Sequence, residues 1–252
     1  MSDSLIDGGP LPPQNVTAGV IQRLEDLIFG ELQPGSELPS ESELAGQLGV
    51  SRLTIREATK ALQARGLLNV RQGRRPLVAH LGAGPIGDYF TSAVRRDARR
   101  LLDLLEVRQA LEVHIASLAA RHATRAAISA MESAVRQMRE VSGDPDAIHA
   151  ADIRFHETLA AASGNQMLSF LIEGMESPLH TSRMRSLHGH LARGGTVDDV
   201  IEQHQRILDR VRDRDSAGAA AAMSDHLEQT ARDLRAAFAL TGPPLGERAT
   251  QD

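Results

Sequence analysis

The spacing of apolar positions predicts helices along most of the chain, with one short stretch of strands. Within the first eighty residues, three segments have apolar residues at helical spacing and two later ones are β-like. Ser40, with Glu43 three residues on, has the capping-box signature of a helix start, and Gly49 is suited to end that helix. The predicted elements are three helices, Val16 to Leu32, Glu41 to Leu48 and Ser51 to Arg65, and two strands, Leu67 to Arg71 and Pro76 to His80.

After a Gly-rich junction at residues 80–85, helical spacing continues to about residue 240. The segment His188–Gly195 contains three glycines and is predicted to be a loop. The pattern predicts an all-α antiparallel bundle of six or seven helices. The helices are Ile86 to Arg95, Ala98 to His122, Thr124 to Val141, Asp144 to Ser163, Gln166 to Leu187, Val197 to Arg214 and Ala217 to Leu240.

The composition excludes several kinds of protein. There is no cysteine, which removes disulfide scaffolds, thiolate zinc fingers, iron–sulfur clusters and cysteine nucleophiles. Aromatic residues make up 2% of the chain, so Leu, Ile, Val and Ala must build the core, which favours helices. No apolar run reaches the ~18 residues of a membrane span, and the acidic N-terminus is unlike a signal peptide. We therefore expect a cytoplasmic protein without a membrane partner.

Positive charge is concentrated in one window of an acidic chain. The formal net charge is −5, yet residues 51–76 hold seven basic side chains and one acidic one, Glu57. Such a window is either a solvated basic face or the footprint of nucleic-acid binding. Six of the seven are arginines, which suit phosphate and guanine contacts and favour the second interpretation. The seven are Arg52, Arg56, Lys60, Arg65, Arg71, Arg74 and Arg75.

The second and third helices are joined by a tight turn and together predict a helix-turn-helix. The third would then be the recognition helix, whose N-terminal residues Arg52, Thr54 and Arg56 meet the bases of the major groove. The two β-like stretches that follow would form a wing, and its tip carries Arg74 and Arg75, suited to phosphates or a minor groove.

These residues resemble the DNA-binding domain of GntR-family transcription regulators. The resemblance covers residues 16–80 and lies chiefly in the stretch LPSESELAGQLGVSRLTIREATKALQARGLLNVRQG. Two departures, Ser42 where some relatives have a DNA-reading arginine and Arg74 where many have a second glycine, leave base preference and wing geometry open. The resemblance implies that the residues contacting DNA are Arg52, Thr54 and Arg56, with Ser40, Gly73, Arg74 and Arg75.

Three histidines and one aspartate form a pattern in the helical part. Asp152 and His156 are four residues apart, hence on one face of a helix. His204 and His226 lie inside the last two predicted helices among apolar neighbours. Helices that face one another in a bundle can bring such groups together as metal ligands. Spacing alone leaves a metal site and a set of hydrogen-bonded core histidines equally open.

The span 97–240 resembles the FCD ligand-binding domain of the FadR subfamily of GntR regulators. The resemblance lies in LEVR at 105–108, LE at 111–112, ADIRFH at 151–156, SGN at 163–165, QHQ at 203–205 and Met223 with HL at 226–227. It implies that Asp152, His156, His204 and His226 bind a divalent metal, which in turn holds an effector carboxylate. Zinc is the expected ion, with nickel or manganese as alternatives.

Three further residues are candidates for contact with the effector. Arg108, on the long helix, could clamp the effector acid through a bidentate fork, or could instead form an internal salt bridge with a bundle acid. Asn165 and Arg183 are weaker candidates, for which a surface or loop role is favoured.

The sequence therefore predicts a transcription regulator, expected to be a repressor, that responds to a small carboxylate such as a sugar acid or hydroxy acid. Two copies should bind one pseudo-palindromic operator as a homodimer. The alternative is a metal-dependent hydrolase with a fused nucleic-acid-binding domain; against it, Ala160 removes the second ligand of an HExxH motif. The predicted parts are a flexible leader 1–14, a winged helix-turn-helix 15–80, a linker and short helix 81–96, the effector-binding domain 97–240 and a flexible tail 241–252.

Overall fold

The computed structural model describes residues 14–71 and 73–241. Residues 1–13 of the predicted leader, residues 242–252 of the predicted tail and Gln72 of the wing lie outside this range. The chain divides between Pro85 and Ile86 into two compact units. None of the described helices is long and apolar enough to cross a membrane.

The first unit is a winged helix-turn-helix, as the sequence predicts. The predicted and observed lengths agree closely for the helices. They agree less well for the strands, which contain two residues each in the structure. The elements are α1 (Gln14–Gly30), α2 (Glu41–Leu48), α3 (Arg52–Ala64), β1 (Leu68–Asn69) and β2 (Leu77–Val78).

Local capping sets the turn between α2 and α3. The Ser40 hydroxyl accepts from the Glu43 N–H at 3.3 Å, and the Ser40 N–H donates to the Glu43 carboxylate at 2.7 Å. Gly49 ends α2 in the left-handed region with φ 65°, which a residue without Cβ adopts at no steric cost. The Ser51 hydroxyl then accepts from the Thr54 N–H at 3.1 Å and starts α3.

The wing is shorter than predicted, and a third segment pairs with it. Strand β1 pairs antiparallel with β2, Leu68 opposite Val78 and Asn69 opposite Leu77. The backbone between α1 and α2 also binds β2, since Glu37 forms a bridge to Leu77 and the Gly35 N–H donates to the Val78 carbonyl at 2.8 Å. Strand β2 therefore has partners on both sides although its own hairpin is brief.

A compact apolar cluster holds the first unit together. Helices α1 and α3 pack against each other, and the hairpin closes one side of the cluster. Burying such side chains stabilises a fold by about 1.5–3 kcal/mol each. The buried members are Val20, Leu24, Ile28, Leu38, Leu44, Ile55, Ala58, Leu62, Leu67, Leu68 and Val78.

The rest of the described chain is helical throughout, which confirms the predicted fold class. Thr124, Asp144, Asn165 and Thr196 cap α6, α7, α8 and α9. Helix α5 packs against α7, α8, α9 and α10. The helices are α4 (Gly84–Arg96), α5 (Arg100–His122), α6 (Arg125–Glu140), α7 (Pro145–Ala162), α8 (Gln166–Ala192), α9 (Val197–Arg212) and α10 (Ser216–Thr241).

The loop predicted for His188–Gly195 is largely wrong, because α8 continues to Ala192. Gly189 is not a turn residue but the place where α8 crosses α10. A Cβ at Gly189 would collide with the backbone carbonyl of Asp233. Glycine is therefore required at this position by the close approach of two helices, and the chain turns only at Gly194, where φ is 85°.

Candidate metal site, anion cavity and DNA-binding surface

Four potential metal ligands converge inside the helical bundle. Helix α7 supplies Asp152 and His156, α9 supplies His204 and α10 supplies His226. One ligand atom from each lies within 4.8 Å of all the others. The three histidines are buried, and the Asp152 side chain is 13% exposed. The cluster is the one that the spacing and the family resemblance predict.

Each histidine has an oxygen atom beside its other ring nitrogen. His156 Nδ1 lies 2.5 Å from the Glu112 carboxylate, and His204 Nδ1 lies 2.8 Å from the Val200 carbonyl. His226 Nδ1 lies 2.8 Å from Gln203 Oε1. Because all three partners accept, each Nδ1 carries the proton and each Nε2 presents a lone pair to the centre. Metal-ligating histidines are held in this way by second partners.

The ligand atoms at the centre of the cluster fit a divalent cation. The buried Nε2 atoms of His156 and His204 have no hydrogen-bond partner in the described part of the chain. Asp152 Oδ1 lies 2.9 Å from His204 Nε2, so two acceptors face each other. Three imidazoles and one carboxylate suit zinc and related divalent ions, with ligand distances of about 2.0–2.2 Å. The residues present therefore fit a divalent metal.

The pKa shifts of Asp152, His156 and His226 favour the protonation states that metal binding requires. Burial lowers the pKa of His156 and takes the pKa of His226 well below its usual value. Burial acts to raise the pKa of Asp152, but the charges of Arg183 and His156 outweigh it and the pKa lies well below normal. Metal binding needs neutral imidazole and ionised carboxylate, so these shifts prepare the site.

Arg108 forms the internal salt bridge that the sequence left open as one of its two roles. Its Nε lies 2.5 Å from Glu112 Oε1, so it forms the internal salt bridge one turn along α5. Burial acts to raise the pKa of Glu112, but the charges of Arg108 and His156 hold the pKa below its usual value. Arg108 Nη2 is buried with no partner among the described residues, which leaves a donor for an anion.

Arg183 is more central, and Asn165 less, than the sequence suggested. Arg183 Nε lies 2.5 Å from Asp152 Oδ2, the side chain is 9% exposed, and its Nη1 has no partner among the described residues. The surface role favoured for it is therefore wrong. Asn165 Oδ1 instead accepts from the N–H groups of Met167 and Leu168 and caps α8. Its role in the structure is that of a helix cap.

A cavity connects the ligand cluster with both arginines. Its volume is about 60 Å³. One buried water needs about 10–15 Å³ on this scale, so there is room for about four to six waters or a small ligand. Its polar lining includes Arg108, Arg183, Asp152, His226, His149, Ser186, His190, Gln203, Thr230 and Asp233.

Sequence reasoning missed several polar residues of this site. Glu112 could have been found from its i,i+4 spacing to Arg108 on one helix. Gln203 and Asp233 have no such signal, because their partners His226 and His190 lie on other helices. His149 and His190 lie outside the histidines that the sequence pattern singled out, yet both are buried and line the cavity.

The predicted recognition residues lie together at the start of α3. Arg52 and Arg56 are exposed, and the hydroxyls of Ser51 and Thr54 are 2.8 Å apart. Arg56 forms a two-point contact with Glu41 of α2, Nε to Oε1 at 3.1 Å and Nη2 to Oε2 at 2.7 Å. This fork fixes the direction of Arg56 beside the exposed face of α3.

The wing and the start of α2 flank this surface. Gly73, with φ 72°, forms the turn of the wing, and Arg74 and Arg75 beside it are exposed. Arg75 Nη2 lies 3.3 Å from the Glu43 carboxylate of α2. Ser40 acts as the N-cap of α2 in the structure. All seven basic residues of the 51–76 window are exposed.

A winged helix-turn-helix joined to a helical domain with a buried ligand cavity defines a class of transcription regulator. Two protein-family models match this chain: the "FCD domain" over residues 103–229 and "Bacterial regulatory proteins, gntR family" over residues 17–78. The chain belongs to the GntR family of bacterial transcription regulators and carries an FCD domain.

Individual proteins of the family match most of the chain. The HTH-type transcriptional regulator LutR of Bacillus subtilis is 35% identical over 199 residues, covering 79% of this chain and 91% of LutR. The Glc operon transcriptional activator of Escherichia coli is 32% identical over 232 residues, covering 88% and 89%. The solved structure of Streptococcus agalactiae GntR has a TM-score of 0.67 at 30% identity, covering 86% and 99%. These relatives are regulators and not enzymes, so the hydrolase alternative has no support.

Proposed function

We propose that this regulator is a repressor whose operator affinity is lowered by a small carboxylate bound in the helical domain beside a divalent metal. One observation carries the proposal. One ligand atom from each of three imidazoles and from the Asp152 carboxylate lies within 4.8 Å of the others, and Asp152 and His226 line a cavity. Arg108 and Arg183 line the same cavity, and each has a buried nitrogen without a partner among the described residues. Such a site attracts an anion, and a volume of about 60 Å³ limits the anion to a small one.

Asp152, His156, His204 and His226 would hold the ion, with zinc expected and nickel or manganese as alternatives. A bound divalent ion would supply positive charge and an open position for a carboxylate oxygen. Arg108 and Arg183 would orient the same carboxylate through their remaining N–H groups. The effector class supported by this arrangement is a hydroxy acid or sugar acid.

At the DNA, two copies of the chain would bind one pseudo-palindromic operator as a homodimer. Arg52, Thr54 and Arg56 would meet base edges in the major groove, and Gly73, Arg74 and Arg75 would meet the backbone or minor groove. Ser40 would contribute through the placement of α2. The effector would favour one arrangement of the bundle and thereby change operator affinity.

The recognition helix is tested by Arg56→Ala in a gel-shift titration with operator DNA. Loss of one bidentate base contact costs about 1–3 kcal/mol, so operator affinity should fall about 5–150-fold. Arg23→Ala removes the same charge from an exposed position of α1 and serves as the matched control. Equal losses in both variants would refute the assignment of α3. Titrating the unmodified chain with and without candidate acids gives the sign of the response.

The metal site is tested by metal analysis of the purified protein and of a His204→Ala, His226→Ala double variant. The unmodified protein should hold about one divalent ion per chain and the double variant far less. His114→Ala, His122→Ala removes two histidines outside the cluster and controls for non-specific binding. Equal metal content in the two double variants would refute the site.

A further inference from the structure

The cavity has two ends of different chemistry, separated along α8 and α10. On α10, Asp233 lies seven residues beyond His226, about 10 Å along the helix axis. On α8, His190 lies seven residues beyond Arg183, at the same spacing. His190 Nδ1 and Asp233 Oδ2 are 3.0 Å apart and close the far end. One end therefore holds the metal ligands and arginines, and the other holds a buried carboxylate with its imidazole.

The far end is built to accept hydrogen bonds. Asp233 is 3% exposed and lines the cavity. Its carboxylate lies 3.0 Å from both His190 Nδ1 and Gln229 Nε2, and Arg193 Nε lies 4.0 Å away. An ionised carboxylate has about four acceptor sites, so these contacts leave capacity for a ligand hydroxyl.

A buried imidazole without partners faces the same cavity. His149 is 6% exposed, and neither ring nitrogen has a hydrogen-bond partner in the described part of the chain. Burial lowers the pKa of His149 to about 4, so the ring is neutral at neutral pH and offers one donor and one acceptor. Buried polar groups are seldom left unpaired, which indicates a polar ligand beside it.

The buried charged residues around the cavity also determine which net charge a ligand can carry. The pair Arg108 and Glu112 is neutral, and so is the pair Arg183 and Asp152. A divalent ion would add two positive charges at its end of the cavity. At the other end, Asp233 and Asp199 lie on either side of His190, and one arginine, Arg193, lies 4.0 Å from Asp233. The two carboxylates there outnumber the arginine, so a second carboxylate of a ligand would be repelled. The lining therefore matches one carboxylate near the ion and a neutral group near Asp233.

We propose that the effector is a small monocarboxylate with a hydroxyl remote from its carboxylate, and that Asp233 reads this hydroxyl and rejects dicarboxylates. This inference rests on the proposed function, since it takes the metal end as the carboxylate site. The specificity-determining residue is then Asp233, which lies outside the proposed metal ligands. The hydroxyl donates its one proton to a carboxylate oxygen of Asp233.

The test uses three four-carbon acids that share the 2-hydroxycarboxylate group and differ only at the fourth carbon. These are 2,4-dihydroxybutyrate with a hydroxyl, 2-hydroxybutyrate with a methyl, and malate with a carboxylate. Binding to the zinc-loaded full chain is measured by calorimetry. The dihydroxy acid should bind most tightly, and malate at least about tenfold more weakly, because its second charge meets Asp233.

Asp233→Asn keeps the size of the side chain and removes its charge, so malate should approach the dihydroxy acid in affinity. Asp225→Asn makes the same change at an exposed position of α10 and should leave the preference intact.

The possible results distinguish a failure of this inference from a failure of the proposed function. Malate binding to the unmodified protein as tightly as the dihydroxy acid, or an unchanged preference in Asp233→Asn, overturns the inference and leaves a carboxylate-binding regulator. Binding of none of the three acids overturns the proposed function, and the inference with it. The comparison of the three acids on the unmodified chain tests the inference even where a variant does not fold.

Discussion

One acceptor oxygen sets the ring orientation of each histidine in the cluster. Glu112, the Val200 carbonyl and Gln203 bind the three Nδ1 atoms and turn the three Nε2 lone pairs to a common centre. If a histidine lost this partner, its ring could rotate or its proton could move to Nε2. The Nε2 atom would then present a proton where the ion needs a lone pair. The acceptors are therefore as important to the site as the ligands.

The first prediction at this scale concerns Glu112→Gln. The variant removes the negative charge that orients His156 and balances Arg108, so affinity for zinc should fall about 10–100-fold. Affinity is measured by competition with a chelator of known strength. Glu106→Gln, exposed on the same helix, is the control and should bind zinc normally. A normal affinity in Glu112→Gln would contradict the proposed role of this carboxylate.

The second prediction concerns pH. Burial lowers the pKa of His156 and His226 below their usual value of 6.5, so below pH 6.5 the unfolded chain binds more protons than the folded one. The melting temperature of the metal-free protein should therefore fall as the pH drops from about 7.5 to 5. His226→Asn removes one of these groups, and its melting temperature should fall less steeply. If the melting temperatures of the two proteins fell equally steeply with pH, the prediction would be wrong.

Among the helices, the crossing of α8 and α10 shapes the cavity most directly. Gly189 lets the two backbones meet beside Asp233, and Ser186 Oγ donates to the Thr230 carbonyl at 3.1 Å one turn earlier. The two helices run side by side from the metal end to the His190–Asp233 end. Any residue that forces them apart would widen the cavity and displace both ends.

At this element scale we predict that Gly189→Ala destabilises the helical unit. The added methyl group would collide with the Asp233 carbonyl, and overpacking of this kind costs about 1–3 kcal/mol. Thermal unfolding followed by circular dichroism measures the loss. Gly143→Ala is the matched control, because an added Cβ there meets nothing within 4 Å. A melting temperature unchanged in Gly189→Ala would mean that the helices separate freely at this point.

For the whole molecule, the central fact is the division into a DNA-binding unit and a ligand-binding unit on one chain. The Arg56–Glu41 fork and the metal-type cluster belong to different units, so any communication between them is allosteric. Such coupling is a free energy shared by both sites and is reciprocal.

We therefore predict the same effect, in size and in sign, in two titrations. A saturating acid effector should change operator affinity about 5–150-fold, and saturating operator should change affinity for the acid by the same factor. Both factors are measured on the zinc-loaded full chain by fluorescence anisotropy and calorimetry. A duplex of scrambled sequence is the control and should leave acid affinity unchanged. Unequal factors would mean that the acid acts through a second site.

How much the sequence by itself determined differs between the two units. Helices α2 and α3 were located closely because their caps Ser40, Gly49 and Ser51 are local signals, and the exposed arginines follow from them. In the bundle, helical spacing and family resemblance together indicated Asp152, His156, His204 and His226. Local chemistry repeats in recognisable forms, so local elements and family motifs can be found without a structure.

Tertiary structure alone decided what surrounds those residues. It joined Gln203 to His226 and Asp233 to His190, contacts that bridge separate helices and leave no spacing signal. It also turned an expected loop glycine, Gly189, into a helix-crossing contact, and moved Arg183 from an expected surface role to the metal end of a cavity. The reason is physical: side chains meet according to how helices pack, and a single chain's periodicity does not specify which faces come together.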